Sequence, residues 1–250
     1  MFIKTKLEEL KLITKNYQDK GILVTGGLLI IIISLICWSI MLALGHIERE
    51  LFDIYLFFSL IIGVTGFLDD LEGDGNARGL RGHFDHLKKG ILTTGIIKVF
   101  VISISAFLLA LKLNESLWEV LIDTGIIVFK TNLLNLLDLR PGRSIKFFIL
   151  ISVLMINRGS FLYYLPYFIA FLFYLPFDMK EKMMLGDCGA NLLGFILAFN
   201  IVLKSENYIL LLSFFILALI LNILSESRSF SSIIKNNPVL NWIDSLGRDL

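Results

Sequence analysis

Apolar runs close to 20 residues long recur along this chain, and each is cut off by a short polar stretch. A run of about 20 apolar residues crosses the hydrocarbon core of a bilayer as a helix, and in lipid each backbone polar group must find its partner within the segment. The pattern therefore predicts an all-α, polytopic membrane bundle with spans at about 22–44, 51–68, 91–113, 117–137, 145–156, 161–176, 192–203 and 208–224. The run at 145–156 reaches only about 18 Å at 1.5 Å per residue, so a tilted or re-entrant helix is the alternative there. Asn157-Arg158-Gly159-Ser160 reads as the turn that returns the chain. A hydrophobic fraction of 56% and a mean hydropathy of +0.78 place the chain outside the range of ordinary water-soluble domains. One domain covers residues 1–250, with an amphipathic lead over 1–20 and a polar tail over 226–250.

Parity and charge then assign sides. Eight crossings put both termini on one face, together with three polar stretches: Asp69-Asp70, Asn135 to Asp138, and Gly186 to Asn191. Seventeen of the 23 lysines and arginines fall on that face; four fall on the other and two inside spans. Short cytoplasmic loops carry the excess of Lys and Arg, so the motif face is expected to be cytoplasmic. The net charge of +1 conceals this asymmetry, and no nucleic-acid partner is expected. The first run is too long for a signal-peptide core and no small-residue cleavage site follows it, so it is expected to remain as a helix. Cys37 lies in a span and Cys188 on the reducing side, so no disulfide is expected.

Ionisable groups at membrane depth are costly and face polar cavities. Adjacent Asp69 and Asp70 diverge by about 100° on a helix, so one can ligate a metal while its neighbour meets a substrate or a cation. Thr131, Asn135 and Asp138 follow i, i+4, i+7 spacing and form one stripe. Asp187 stands between glycines ahead of a helix expected to begin near Asn191, where free N–H groups suit phosphate and the carboxylate suits a hard cation. With Arg81, Lys88, Lys89, Lys98, Arg140 and Arg143 nearby in sequence, the constellation describes a site for Mg²⁺ and a polyphosphate. The carboxylates would take the metal and the bases the phosphate oxygens. Each element has a plainer reading: a solvated helix end for Asp69-Asp70, a topology-setting turn for Arg140-Pro141-Gly142-Arg143, a solvated loop for His83 and His86, and snorkelling for Lys98. The Phe-rich stretch at 161–177 reads as packing or lipid contact, and His46 falls on the opposite face.

Gly66-Phe67-Leu68-Asp69-Asp70, Gly79-Leu80, Asn132-Leu-Leu-Asn135-Leu-Leu-Asp138 and Gly186-Asp187-Cys188-Gly189-Ala190-Asn191-Leu-Leu-Gly194, with Gly26-Gly27 as a weaker match, resemble the polyprenyl-phosphate N-acetylhexosamine-1-phosphate transferase superfamily. The resemblance covers most of the chain, in family order. It implies an enzyme of the bacterial plasma membrane that uses Mg²⁺ to transfer a sugar 1-phosphate from a UDP-sugar to a polyprenyl phosphate, releasing UMP, in cell-wall or envelope polysaccharide synthesis. It also implies a homodimer. Carried over by position, Asp187 would be the principal metal ligand, with Asp70. Asp69, Asp70 and Asp138 would be the catalytic carboxylates, with the choice of any base among them open. Asn135 and Asp138 would contact metal or nucleotide and Asn191 would support the turn; by their own chemistry, and not through the resemblance, Lys98, His83, Arg140 and Arg143 join Asn135 and Asn191 as candidate substrate contacts. Two departures stand out: Leu139-Arg140-Pro141-Gly142 replaces a Gly-x-Asp-Gly, so a second aspartate is missing, and no histidine follows Asp187, where the family has a sugar-selecting histidine-rich loop. The chain is also short for the family, with the first helix and at least one other expected to be missing. Two other readings stand beside this one. A non-catalytic lipid-phosphate binder or transporter could use the same fold. A CDP-alcohol phosphotransferase is suggested by the spaced aspartates from Asp70 to Asp85, although Asp74-Gly75-Asn76-Ala77-Arg78 is one residue short of that signature and Lys89 stands where its closing aspartate belongs.

Overall fold

The computed structural model describes residues 12–73, 79–155, 161–205 and 207–248. The first eleven residues of the lead, the 74–78 segment and the turn at 157–160 lie outside the described residues.

The chain opens with a hairpin. Strands β1 (Ile13–Lys15) and β2 (Gly21–Leu23) pair antiparallel, with Thr14 opposite Ile22. The Asn16 side chain accepts from the Gln18 and Lys20 N–H groups at 2.9 and 3.0 Å, closing the turn that Asp19 completes in a left-handed conformation. Part of the expected amphipathic lead is thus a β-hairpin, and Ile22, counted above as the start of a span, is strand. The first helix starts four residues later.

The helices follow as α1 (Gly26–Ala43), α2 (Arg49–Glu72), α3 (Gly79–Lys88), α4 (Thr94–Leu113), α5 (Leu117–Leu137), α6 (Arg143–Met155), α7 (Phe161–Met179), α8 (Gly186–Lys204), α9 (Tyr208–Ser227), α10 (Phe230–Asn236) and α11 (Pro238–Ser245). Seven of them, α1, α2, α4, α5, α7, α8 and α9, are long and apolar enough to cross a membrane, rather than the eight expected. The exception is α6, whose 13 residues extend about 20 Å, short of a hydrocarbon core of about 30 Å. It leaves the end of the bundle where α5 finishes and packs Phe148 against the rings of Tyr164 and Phe171 in α7. The end of α7 then returns to the same place: Asp178 accepts from the Gly142 N–H at 2.6 Å. The pair goes in and comes back, so the three polar stretches share one end of the bundle even though α6 is short.

Helix α8 is the axis. Its side chains from Leu192 to Ile201 are almost wholly shielded, as a helix apolar on all sides must be when it is enclosed by others. Around it, Trp38 stacks on Tyr55 with centroids 4.2 Å apart, and the Tyr55 hydroxyl donates to the Asn200 side chain at 2.8 Å, so these two inner polar groups are paired. Outward-facing Ile216, Ile220 and Ile223 on α9 form part of the apolar outer surface that a bilayer would cover. The tail expected to be merely polar is instead two short helices folded onto the bundle end, with Phe230 packed on Leu133 and Leu137.

Candidate functional site

Three helices deliver charged side chains to one place. Asp69 and Asp70 end α2, Asp187 opens α8, and Lys98 enters from the second turn of α4. Divergence of the adjacent aspartates is what the helix geometry requires, and each finds a different partner. Asp69 accepts from the Lys98 ammonium at 2.5 Å, and the same ammonium donates to Asp187. Asp70 turns to the start of α8 and accepts from the Asp187 and Cys188 N–H groups at 2.8 and 3.0 Å.

Asp70 is therefore the cap of α8, satisfying two of the N–H groups that any helix start leaves open. The helix begins at Gly186, not near Asn191, because Asp70 supplies that cap and Gly186 adopts φ +69, a left-handed conformation natural to glycine. A Cβ at Gly186 would lie 2.6 Å from the Asp70 carboxylate. With both its oxygens so engaged, Asp70 is not the free metal ligand expected of it; Asp69 is the member of the pair that faces a cation.

Asn135 points at the same centre, its amide 3.4 Å from the Asp187 carboxylate. Thr131, one turn deeper on the stripe, is fully buried beside Gly194 of α8. Asn132 turns away and donates to Asn222 of α9 at 2.7 Å. Asn191 is also buried, and its side-chain nitrogen has no hydrogen-bond partner among the described residues.

Asp138 closes α5 and lines a cavity of about 560 Å³ beside this cluster, together with Lys15, Tyr17, Arg140, Asp178 and Glu181. Burial pushes the Asp138 carboxyl well above its ordinary range, and the neighbouring Asp178 carboxylate pushes the same way. Arg140 lies over the Tyr17 ring, 3.9 Å from its centroid, and the Tyr17 hydroxyl donates to Glu181 at 2.6 Å. That hydrogen bond and partial burial raise the Tyr17 hydroxyl, which stays protonated. Arg143, expected to meet substrate, does not reach the cavity. It is 7% exposed and grips Asp244 through two hydrogen bonds of 2.8 and 2.9 Å and Ser231 through a third. Lys88 is exposed and pairs locally with Asp85. The side chain of His83 and the Asp74 to Arg78 segment lie outside the described residues.

Asp178 and Tyr17 escaped the sequence reading. Asp178 follows a Phe-rich stretch that reads as packing, yet its two oxygens hold the Gly142 N–H and the Tyr174 hydroxyl, fixing the loop after Asp138. A lone acid between two prolines and a lysine, at the end of an apolar run, was the available signal.

Among the described residues, no three His, Cys, Asp or Glu side chains converge as a closed metal cage. Asp69 and Asp187 nonetheless come from different helices to one cationic point, with a carboxamide beside them. Two hard carboxylates suit Mg²⁺, which keeps several waters and completes its shell from substrate phosphates. At present their common focus is the Lys98 ammonium. The class of protein these observations define is a predominantly helical polytopic membrane protein with a shielded carboxylate–ammonium cluster and a polar cavity at one end of the bundle. The chain matches no protein-family model, no curated protein and no solved structure.

Proposed function

We propose that this chain transfers a sugar 1-phosphate of the N-acetylhexosamine type from a UDP-sugar to a polyprenyl phosphate, releasing UMP on the cytoplasmic face of a bacterial plasma membrane. The observation that carries the reading is the meeting of Asp69, Lys98, Asn135 and Asp187, drawn from four helices, beside a cavity that Asp138 lines.

In the reaction an oxygen of the lipid phosphate attacks the β-phosphorus of the donor. The bond from that phosphorus to the bridging oxygen breaks, and the electron pair leaves on UMP. A phosphate monoester is already largely ionised near neutral pH, so placing the two phosphates supplies much of what is needed. Asp69 and Asp187 would hold Mg²⁺, which when bound neutralises charge on the diphosphate. Lys98 fixes both carboxylates before substrate arrives. Asp70 sets the start of α8, so that Asp187 stands at a fixed height above it. The cavity beside Asp138 has room for the nucleotide, and Arg140 at its wall can meet phosphate oxygens.

The binder reading draws on one observation: Lys98 and Arg143 are already paired with carboxylates. Membranes containing the full chain, supplied with undecaprenyl phosphate, Mg²⁺ and a panel of UDP-sugars, separate the two. UMP release with one donor, abolished in Asp187→Asn, is the expected result. No UMP with any donor, from inserted and folded protein, would move the assignment to a lipid-phosphate binder or transporter, and CMP release from a CDP donor would assign the CDP-alcohol chemistry.

A further inference from the structure

Helix α11 faces the wrong way for a helix on a water-bathed surface. Val239, Trp242 and Ile243, with Leu246 just past the helix end, follow the i, i+3, i+4, i+7 spacing of one helix face, yet they are 64, 63, 37 and 45% exposed. The side turned to the bundle carries Asp244, gripped by Arg143. No residue of this helix is buried.

An eight-residue helix is below the roughly 12–15 residues that hold together alone in water, and tertiary packing of an apolar face is what makes up the difference in most proteins. Here the described residues cover little of that face, leaving Val239 64% and Trp242 63% exposed. The ends are well served. Asn237 accepts from the Val239 and Leu240 N–H groups at 3.0 and 3.1 Å, and Pro238 takes the first helical position. At the other end the Lys146 ammonium donates to the Ile243 and Asp244 carbonyls at 3.2 and 2.7 Å, and Arg248 donates to the latter at 2.9 Å. Caps secure the two ends, and the described residues leave most of the apolar stripe uncovered.

Position and charge name the cover. Helices α10 and α11 directly follow the membrane-length α9, and Phe230 of α10 packs on the last turns of α5, where that span ends. Arg143, at the start of α6, fastens α11 to the same end of the bundle. The stripe therefore lies at the level where the spans leave the hydrocarbon, the level that tryptophan favours. Among the described residues, three cations there, Arg143, Lys146 and Arg248, face two carboxylates, Asp244 and Asp178, a small excess of positive charge that suits anionic headgroups.

We propose that α11 lies in the plane of the membrane, with Val239, Trp242, Ile243 and Leu246 seated at the headgroup–acyl boundary of an anionic bilayer and the Arg143–Asp244 pair fastening the helix to the bundle. This stands whether or not the chain is a transferase. Trp242 reports it directly. The full chain is reconstituted in phosphatidylglycerol–phosphatidylcholine bilayers carrying acyl chains brominated near the headgroup, and the Trp242 emission is taken as the difference between the parent and Trp242→Phe. The difference is needed because Trp38 is buried and Trp118 is exposed at the other end of the bundle. The expected result is that brominated lipid removes most of the Trp242 emission while aqueous acrylamide removes little. Quenching by acrylamide and not by lipid overturns the proposal, since the stripe then faces water. Quenching by neither overturns it in favour of cover by protein, such as a second copy of the chain. Asp244→Asn keeps the shape and weakens the fastening, so lipid quenching of Trp242 should fall; unchanged quenching would refute the role of the pair.

Discussion

Replacing Lys98 by methionine keeps most of the side-chain stem and removes the charge that joins Asp69 to Asp187. The three side chains are well shielded, at 11, 15 and 29% exposure for Lys98, Asp69 and Asp187. Removing one partner of a buried ion pair costs about 3–5 kcal/mol, because the charge left behind is uncompensated. The partial exposure of Asp187 argues for the lower end, about 3 kcal/mol, or a little over two powers of ten in the folded-to-unfolded ratio. For a chain of this size that corresponds to a fall of about 6–12 °C in Tm. Thermal unfolding in detergent measures it, and the double variant Asp69→Asn/Lys98→Met, which discards one of the stranded charges, should recover at least half of the loss. Mg²⁺ provides a second readout. If the two carboxylates accept a dication, Mg²⁺ raises the Tm of Lys98→Met by more than that of the parent, whose focus is filled by the ammonium. A Lys98→Met Tm indistinguishable from the parent, or a double variant no better than the single one, would refute the charge argument.

Two further outcomes follow from the site. A Cβ at Gly66 would sit 2.6 Å from the Asp187 carbonyl oxygen and 2.8 Å from the Cys188 Cα, both backbone atoms, so Gly66→Ala must push α2 from α8 and should cost about 1–3 kcal/mol in thermal unfolding; an unchanged Tm would mean that the two helices do not approach this closely. Asp138 has its pKa raised by burial and by Asp178, so the fold holds a proton that the unfolded chain releases above about pH 4, and stability falls as pH rises through that window. Asp138→Asn should therefore raise Tm at neutral pH, with the gain shrinking as pH falls below the unfolded value; a gain that does not depend on pH would contradict the assignment.

The gathering of Asp69, Asn135 and Asp187 was legible because run length fixes the number of crossings and helical spacing fixes which residues share a face. What each side chain does on arrival was less so. Asp70 and Asp69 are neighbours of identical chemistry, and only the approach of α8 to the end of α2 makes one a cap and the other a cation partner. Arg143 is separated from Asp244 by about a hundred residues, and nothing local marks that pairing. The hairpin at 13–23 was lost because its three-residue strands carry too little pattern to stand against the adjoining apolar run. Crossing parity was preserved despite α6 being too short to span, since α7 retraces the path that α6 opens.

The pairing of the basic residues decides which of them can serve a phosphate. Arg140 and Arg143 flank the same Pro-Gly turn and looked equivalent in sequence, but what it costs to free them differs several-fold. Arg140 rests on the ring of Tyr17, a residue 42% exposed, and a cation–π contact at such a site is worth about 0.5–1 kcal/mol. A charge-assisted bond to a phosphate oxygen, about 1.5–3 kcal/mol, exceeds that, so substrate can draw Arg140 off the ring. Arg143 is held at 7% exposure by two short hydrogen bonds to Asp244, which Arg248 also pairs, and pulling it away breaks two charge-assisted bonds of about 1.5–3 kcal/mol each. A single phosphate contact does not recover that amount. On the proposed reaction, Arg140 is therefore the cation that moves to the donor, while Arg143 keeps the C-terminal helices on the bundle throughout.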